Sequence, residues 1–341
     1  VKKIISLSLI LTLFALVFTG CLPASENTKP AEEKQEKNVV DEKENEKITL
    51  KVAAPSGPTT VSLIKMFKDK PSFGDNIEVI YESIKSPDLL AAKIISGEVD
   101  FAVVPTNLAA KLYNKGVPYK LAAPTIWGVL YVAGTENVEK WNDLKNKEVV
   151  TIGRGLTPDI LFRYLLSKNG LNPDEDLKLN YLSSPQELAQ TMIAGKNTIG
   201  IIPEPMLTTV LMKNKDIKIY IDMQKEWKKL TGYESYPQSS LIIKNEVLEK
   251  YPKVVDKFLT EYENSIKWVN DNPDKAGTYV EDLNIGLNAK IVEKAIPRSN
   301  IKYVDASNAK SAIREYLKVL FDFSPESIGG KLPEDEFYFE R

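Results

Sequence analysis

The 341-residue chain contains no histidine and a single cysteine. The first absence removes imidazole general bases, histidine-based nucleophile triads and histidine metal ligands in one step. The second leaves no partner for an internal disulfide, so packing alone must hold the folded part together. Arginine is scarce too, represented by Arg154, Arg163, Arg298, Arg314 and Arg341 among many lysines. Neither sign of charge dominates: 47 acidic and 45 basic residues leave a net charge of −2, with no basic excess to favour nucleic acid. Long apolar runs are missing except for residues 4–18.

That run follows Lys2-Lys3 and ends in Thr19-Gly20-Cys21, the layout of a secretory signal with a small-residue cleavage site. It is shorter than the roughly 20 residues needed to cross a bilayer. Cys21 stands where an acylated thiol becomes a mature N-terminus, so residues 1–20 are read as a lipoprotein signal peptide and Cys21 as the lipidation site. Phe18 departs from the usual leucine of such a site, and an ordinary signal with an incidental cysteine is the alternative. Residues 22–47 hold eight acidic residues and five lysines with few apolar side chains. They cannot bury enough surface to fold, and residues 21–47 are read as a lipidated cysteine and a disordered tether, about 30 Å end to end as a flexible coil.

A stretch of the remaining chain occurs twice. Ser86-Pro87, Leu90-Ala91, Ile95, Gly97 and Pro105 recur 98 positions later as Ser184-Pro185, Leu188-Ala189, Ile193, Gly195 and Pro203. The register extends upstream through Val52/Val150, Gly57/Gly155, Thr59/Thr157, Leu63/Leu161 and Lys70/Lys168, giving 12 identities in the 54 pairs from 52/150 to 105/203. Two like units in one chain imply two lobes with a cleft between them, a ligand-binding architecture before any side-chain chemistry is considered.

Within each unit, strand-length β-rich segments alternate with helical periodicity. Strands are expected near 48–54, 77–82 and 100–104, and helices near 59–70, 87–96 and 106–115. The second unit has strands near 148–152, 178–182, 198–202 and 217–221, with helices near 157–169, 185–194 and 204–213. The alternation predicts an α/β fold of two lobes, each a mostly parallel sheet flanked by helices. The apolar run 121–134 leaves the first lobe, and 236–243 returns to it, so two extended crossings form a hinge. Lobe 1 is assigned residues 48–126 and 240–341, including amphipathic helices in the C-terminal third, and lobe 2 residues 127–239.

Ligands of parallel α/β sheets bind beyond the carboxyl ends of the strands, where loops lead into helix N-termini. Three such loops are polar or glycine-bearing: Ser56-Gly57-Pro58-Thr59-Thr60, Pro105-Thr106-Asn107 and Gly153-Arg154-Gly155-Leu156-Thr157. Free N–H groups and the positive helix end suit an anionic group there, while Thr59, Thr106 and Thr157 equally fit the role of helix caps. Arg154, whose planar fork matches a sulfonate or carboxylate, is a candidate anion ligand, with a surface salt bridge as the bland alternative. Thr106-Asn107 in one unit corresponds to Glu204-Pro205 in the other. Glu204 is either helix-start chemistry or an acceptor for a ligand amine. Trp127 and Tyr236 at the crossings are candidates for stacking on a planar ligand or for core packing, with Gln238 a polar candidate beside them. No cofactor and no metal site are expected.

The Gly97-Glu98-Val99-Asp100 turn into Phe101-Ala102-Val103-Val104-Pro105, the matching Ile201-Ile202-Pro203-Glu204-Pro205, and the closing Ile328-Gly329-Gly330-Lys331-Leu332-Pro333 with Phe337-Tyr338 carry a family likeness. The chain resembles the periplasmic-binding-protein type II superfamily, in particular the nitrate/sulfonate/taurine and thiamine-pyrimidine-precursor group of ABC-transporter solute-binding proteins. The resemblance implies a monomeric, lipid-anchored receptor that captures a small solute outside the membrane and hands it to an ABC permease. It leaves open a sulfonate-, nitrate- or taurine-like anion and an aminopyrimidine or thiamine-like ring. Enzymes on this scaffold, such as thiamine-pyrimidine synthases, are the runner-up, and the histidine-dependent chemistry of those synthases is unavailable to this chain. A surface lipoprotein that binds another macromolecule is the third reading.

Overall fold

The computed structural model describes residues 47–341, so the signal segment, Cys21 and all of the tether but Lys47 lie outside the described residues. β1 (Ile48–Pro55) leads into α1 (Pro58–Ser62) and α2 (Ile64–Asp69), where the sequence predicts one helix. Hydroxyls cause the break. Thr59 and Thr60 both donate to Pro55 O, and Ser62 donates to Thr59 O, so side chains compete with the backbone for the carbonyls of the first turns. Then come β2 (Ile77–Ile84), α3 (Pro87–Ile95), β3 (Phe101–Pro105), α4 (Thr106–Asn114) and β4 (Tyr119–Ile126).

The second unit comprises β5 (Leu130–Gly134), β6 (Glu148–Ile152), α5 (Thr157–Lys168), β7 (Lys178–Leu182) and α6 (Pro185–Ile193), followed by β8 (Ile199–Pro203), α7 (Met206–Lys213), β9 (Lys218–Asp222) and α8 (Met223–Thr231). The duplication is visible in the caps. Ser86 accepts from Leu89 N at 3.4 Å and Ser184 from Glu187 N at 3.2 Å, each with proline at the first helical position.

Two five-stranded sheets result, ordered β2-β1-β3-β10-β4 and β7-β6-β8-β5-β9, where β10 is Ser239–Lys244. They have the same plan. In each, four strands run one way and one against them: β10 in the first sheet, β5 in the second. The contrary strand is the one that has just crossed from the other half. β4 ends at Ile126, residues 127–129 cross, and β5 starts with Leu130 opposite Pro203, the last residue of β8. Ser239 likewise starts β10 opposite Pro105, the last residue of β3. A strand that enters its sheet where its neighbours end must run away from the cleft, which explains the reversed direction.

The rest of the chain is helical: α9 (Asn245–Lys250), α10 (Pro252–Asp271), α11 (Pro273–Asp282), α12 (Ala289–Ala295) and α13 (Ala306–Phe323). α10 buries Val254, Val255, Phe258, Tyr262, Ile266 and Val269, the stripe expected from three- and four-residue spacing. Phe258 stacks on Phe101 of β3 with ring centroids 4.1 Å apart. α13 touches both halves: it packs against β4 of the first sheet and α5 of the second lobe. Its fully buried Tyr316 stacks on Tyr236 at 5.8 Å and meets Trp227 of α8 edge-on at 6.3 Å. The chain ends as a strap, with Phe339 N donating to Leu121 O at 2.8 Å beside β4.

Candidate functional site

A cavity of about 1400 Å³ opens where the two sets of strand ends meet. Its first-lobe wall includes Ser56, Gly57 and Pro58 after β1 and residues 83–85 at the end of β2, and its second-lobe wall includes Pro185, Gln186 and residues 203–206. It exceeds the roughly 300–1,000 Å³ of an enclosed small-molecule site because it continues as a groove along β2. In the second sheet β6 lies between β7 and β8, so the loop 153–157 sits between the two second-lobe loops that line the cavity, although none of its own residues is in the lining.

The charges around this cavity are unevenly paired. Each carboxylate in the lining has a cation: Glu78 is 2.8 Å from Lys47, Glu82 2.8 Å from Lys93, and Glu204 2.5 Å from Arg298. Lys70 and Lys85, also in the lining, have no ion pair among the described residues. Arg154 has none either, whereas Arg163, Arg298, Arg314 and Arg341 each hold a carboxylate. The salt bridge that was the bland expectation for Arg154 is therefore not formed. Its guanidinium lies exposed over the ring of Tyr181, 5.1 Å from the centroid.

The other sequence candidates fall into two groups. Ser56 and Gly57 line the cavity, and Gly155 is exposed in the Arg154 loop with its N–H donating to Asp159 Oδ2 at 2.8 Å. The threonines are engaged elsewhere. None of Thr59, Thr106 and Thr157 is an N-cap, because those positions fall at Gly57, Pro105 and Leu156. Thr59 and Thr60 hold the α1 turn, the fully buried Thr106 shares a 2.8 Å hydrogen bond with Ser240, and Thr157 lies 3.2 Å from the hydroxyl of Tyr316. Asn107 donates to Ser327 O at 3.3 Å.

The crossing residues build the hinge. Gln238 ties one crossing to the other, its N donating to Ile126 O at 2.8 Å and its Oε1 accepting from Val129 N at 3.1 Å. Trp127 Nε1 donates to Lys302 O at 2.9 Å. Tyr236 is wholly buried, and its hydroxyl donates to Gln224 Oε1 at 2.7 Å. Gln224, which sequence reasoning did not single out, grips the start of β5 by both backbone groups of Leu130, at 3.1 and 3.0 Å.

Glu204, expected as the first residue of its helix, performs helix-start chemistry from two residues before it, since α7 begins at Met206. It accepts from Thr208 N and Thr208 Oγ1 at 3.0 Å each, and Arg298, contributed by the turn after α12, donates to its Oε1 at 2.5 Å. Arg298 lies 94 residues from Glu204 in sequence, which is why spacing gave no hint of the ion pair. Burial raises the Glu204 carboxyl above its ordinary 4.5 even though Arg298 pulls it down. The folded state then holds this proton more tightly than the unfolded chain, so the group's contribution to stability falls as pH rises from about 4.5 through its raised value. Glu204→Gln is expected to remove that downward trend. Urea unfolding at a series of pH values would show it, and parallel profiles for the two proteins would contradict it.

The fold is the two-lobed α/β plan of periplasmic-binding proteins of type II, two mixed sheets flanked by helices with a cleft between them. The family model described as NMT1/THI5 like matches residues 75–276, and the chain belongs to that family. It is similar to an ABC transporter protein of Parabacteroides distasonis, 30% identical over 86% of this chain and 99% of that one, with a TM-score of 0.75. It shares its fold with the periplasmic aliphatic sulphonate binding protein SsuA of Escherichia coli, 13% identical over 83% of this chain and 96% of that one, TM-score 0.67. The periplasmic nitrate-binding protein NrtA of Synechocystis also has this fold, 13% identical over 83% of this chain and 84% of that one, TM-score 0.56. No curated protein sequence matches the chain.

Proposed function

We propose that this protein is the solute receptor of an ABC importer, lipid-anchored through Cys21 on the extracytoplasmic face of the cell membrane, and that its two lobes close on a small organic anion. Lobe 1 comprises residues 48–126 and 240–341 and lobe 2 residues 127–239, with α13 spanning the two. The observation that carries this reading is the charge pattern around the cleft: every lining carboxylate is neutralised, the lining lysines Lys70 and Lys85 have no protein counter-ion among the described residues, and neither has Arg154 on the loop beside the lining. Lys85 and Arg154 follow the ends of β2 and β6 and favour an incoming anion by direct hydrogen bonding, while Lys70, at the end of α2, adds to steering. The names of the similar proteins, one binding sulphonates and one nitrate, point to the same ligand class.

An aminopyrimidine would call on Glu204 as its acceptor, and that carboxylate already accepts from Arg298 and Thr208. Histidine-dependent catalysis on this scaffold has no residue to serve it. Thermal unfolding against alkanesulfonates, taurine, nitrate, amino acids and pyrimidines tests the proposal. A ligand at about 100 times its Kd stabilises the folded state by roughly 2.7 kcal/mol, and the anions are the solutes expected to do so.

A further inference from the structure

We infer that Asp159 and Tyr181 are positioning residues that hold Arg154 ready for an anion. The inference rests on the anion reading above and adds to it the device that aims the guanidinium. Asp159, in the first turn of α5, is 3% exposed. One of its oxygens, Oδ2, accepts from Gly155 N at 2.8 Å and so fixes the backbone of the loop that carries Arg154. The other, Oδ1, accepts from the hydroxyl of Tyr181 and from Arg163 Nε, each at 2.8 Å. Arg163 also donates to the same hydroxyl at 3.1 Å and is itself anchored on Asp174 at 2.8 Å. Tyr181 is the ring beneath Arg154.

A single carboxylate therefore sets both the loop and the platform on which the loop's cation rests. A flexible arginine loses rotamer freedom when it binds, and a ring that already confines it lowers that loss, which is how preorganisation raises affinity. Helix capping alone does not account for the arrangement, because a cap needs neither the Tyr181 hydroxyl nor the Arg163 fork. The duplication sharpens the point. At the positions 98 residues earlier the first unit has Ser56, Val61, Lys65 and Ser83 in place of Arg154, Asp159, Arg163 and Tyr181. There Ser83 meets Thr60 at 3.1 Å, while Lys65 turns to Asp69 and the ring of Trp268, so the four positions form no shared network. The anion-holding arm is thus a property of the second lobe, and the first lobe is left to accept the rest of the solute.

The test is a double-mutant cycle by calorimetric titration with ethanesulfonate, taurine and nitrate, using whichever binds the wild-type protein most tightly. Tyr181→Leu is expected to weaken binding by about threefold to tenfold, the range of an exposed cation–π contact plus lost order. Asp159→Asn should act in the same direction. Tyr181→Phe keeps the ring, frees it from Asp159 and Arg163, and should cost about threefold, serving if the leucine variant fails to fold. In the Arg154→Ala background all three substitutions should lose their effect, which a merely structural role would not produce. Equal weakening with and without Arg154 overturns the inference. So does wild-type affinity in the Tyr181 variants, with the anion reading left standing if Arg154→Ala alone weakens binding. If none of the three anions binds the wild-type protein, the anion reading and this inference fall together.

Discussion

Arg154→Ala weakens binding of the cognate anion by about 10- to 100-fold, the range for losing charge-assisted hydrogen bonds to an ionised ligand. Stability should barely change, because the side chain is exposed and makes no ion pair that folding depends on. The separation of the two effects is the point. Removing Arg298, by contrast, would leave the buried Glu204 carboxylate without its cation and disturb the fold along with the site. Titration at two ionic strengths should also show a shallower salt dependence for the Arg154 variant, since one mobile charge has been removed from the cleft. Unchanged affinity for an anion that stabilises the wild-type protein would exclude Arg154 from the site.

The second large effect concerns the hinge. Gly128 stands at the centre of the first crossing with φ +73, a conformation that L side chains rarely adopt. A Cβ there would lie 2.7 Å from Gln224 Cγ, 2.8 Å from Tyr236 Cζ and 2.9 Å from Ser235 Oγ. None of these neighbours is free to retreat. Gln224 grips Leu130, Tyr236 is sandwiched against Tyr316 and Trp227, and Ser235 donates to Trp127 O at 2.6 Å. Gly128→Ala is therefore expected to destabilise the protein by about 3 kcal/mol or more, adding backbone strain to overpacking. For a chain of this size that lowers the melting temperature by roughly 5–10 °C. A melting temperature within about 2 °C of wild type would mean that the crossing is less tightly packed than these distances indicate.

The repeated register was the most legible feature of the sequence. Ser-Pro starts at 86 and 184 are strong local signals, and they appear as matching caps on α3 and α6, with β3 and β8 beginning and ending 98 residues apart. The returning strand was legible as well, because Ser239 to Ile243 has β-rich composition next to a polar turn. α8 was not anticipated. Its residues Met223–Thr231 are rich in lysine, and what fixes them as a helix is the cap at Asp222 and the burial of Trp227 against Tyr236 and Tyr316, partners contributed by distant segments. The bridging role of α13 was hidden for a related reason: an apolar stripe shows that a face is buried and is silent on how many neighbours bury it.

Within the proposed site, the loops were picked out by their position after strands, and Arg154 by its rarity. Their wiring was not visible. Asp159 sits four residues before Arg163 and reads as an ordinary helix pair, and nothing local says that Tyr181 joins them. Thr106 and Tyr236 were polar or aromatic residues at the right places in the chain, and both turn their side chains into the core, where Ser240 and Gln224 satisfy them. Side-chain direction at a strand end depends on the packing of the other half, which no window of sequence contains.

Thermal unfolding of the wild-type protein across the solute panel tests the central claim most directly. Saturable stabilisation by a sulfonate, taurine or nitrate, with no comparable response to pyrimidines or cationic solutes, is the result expected of a cleft whose lining carboxylates are all paired and that lies beside the unpaired Arg154. Stabilisation by a pyrimidine amine with no response to any anion would contradict it.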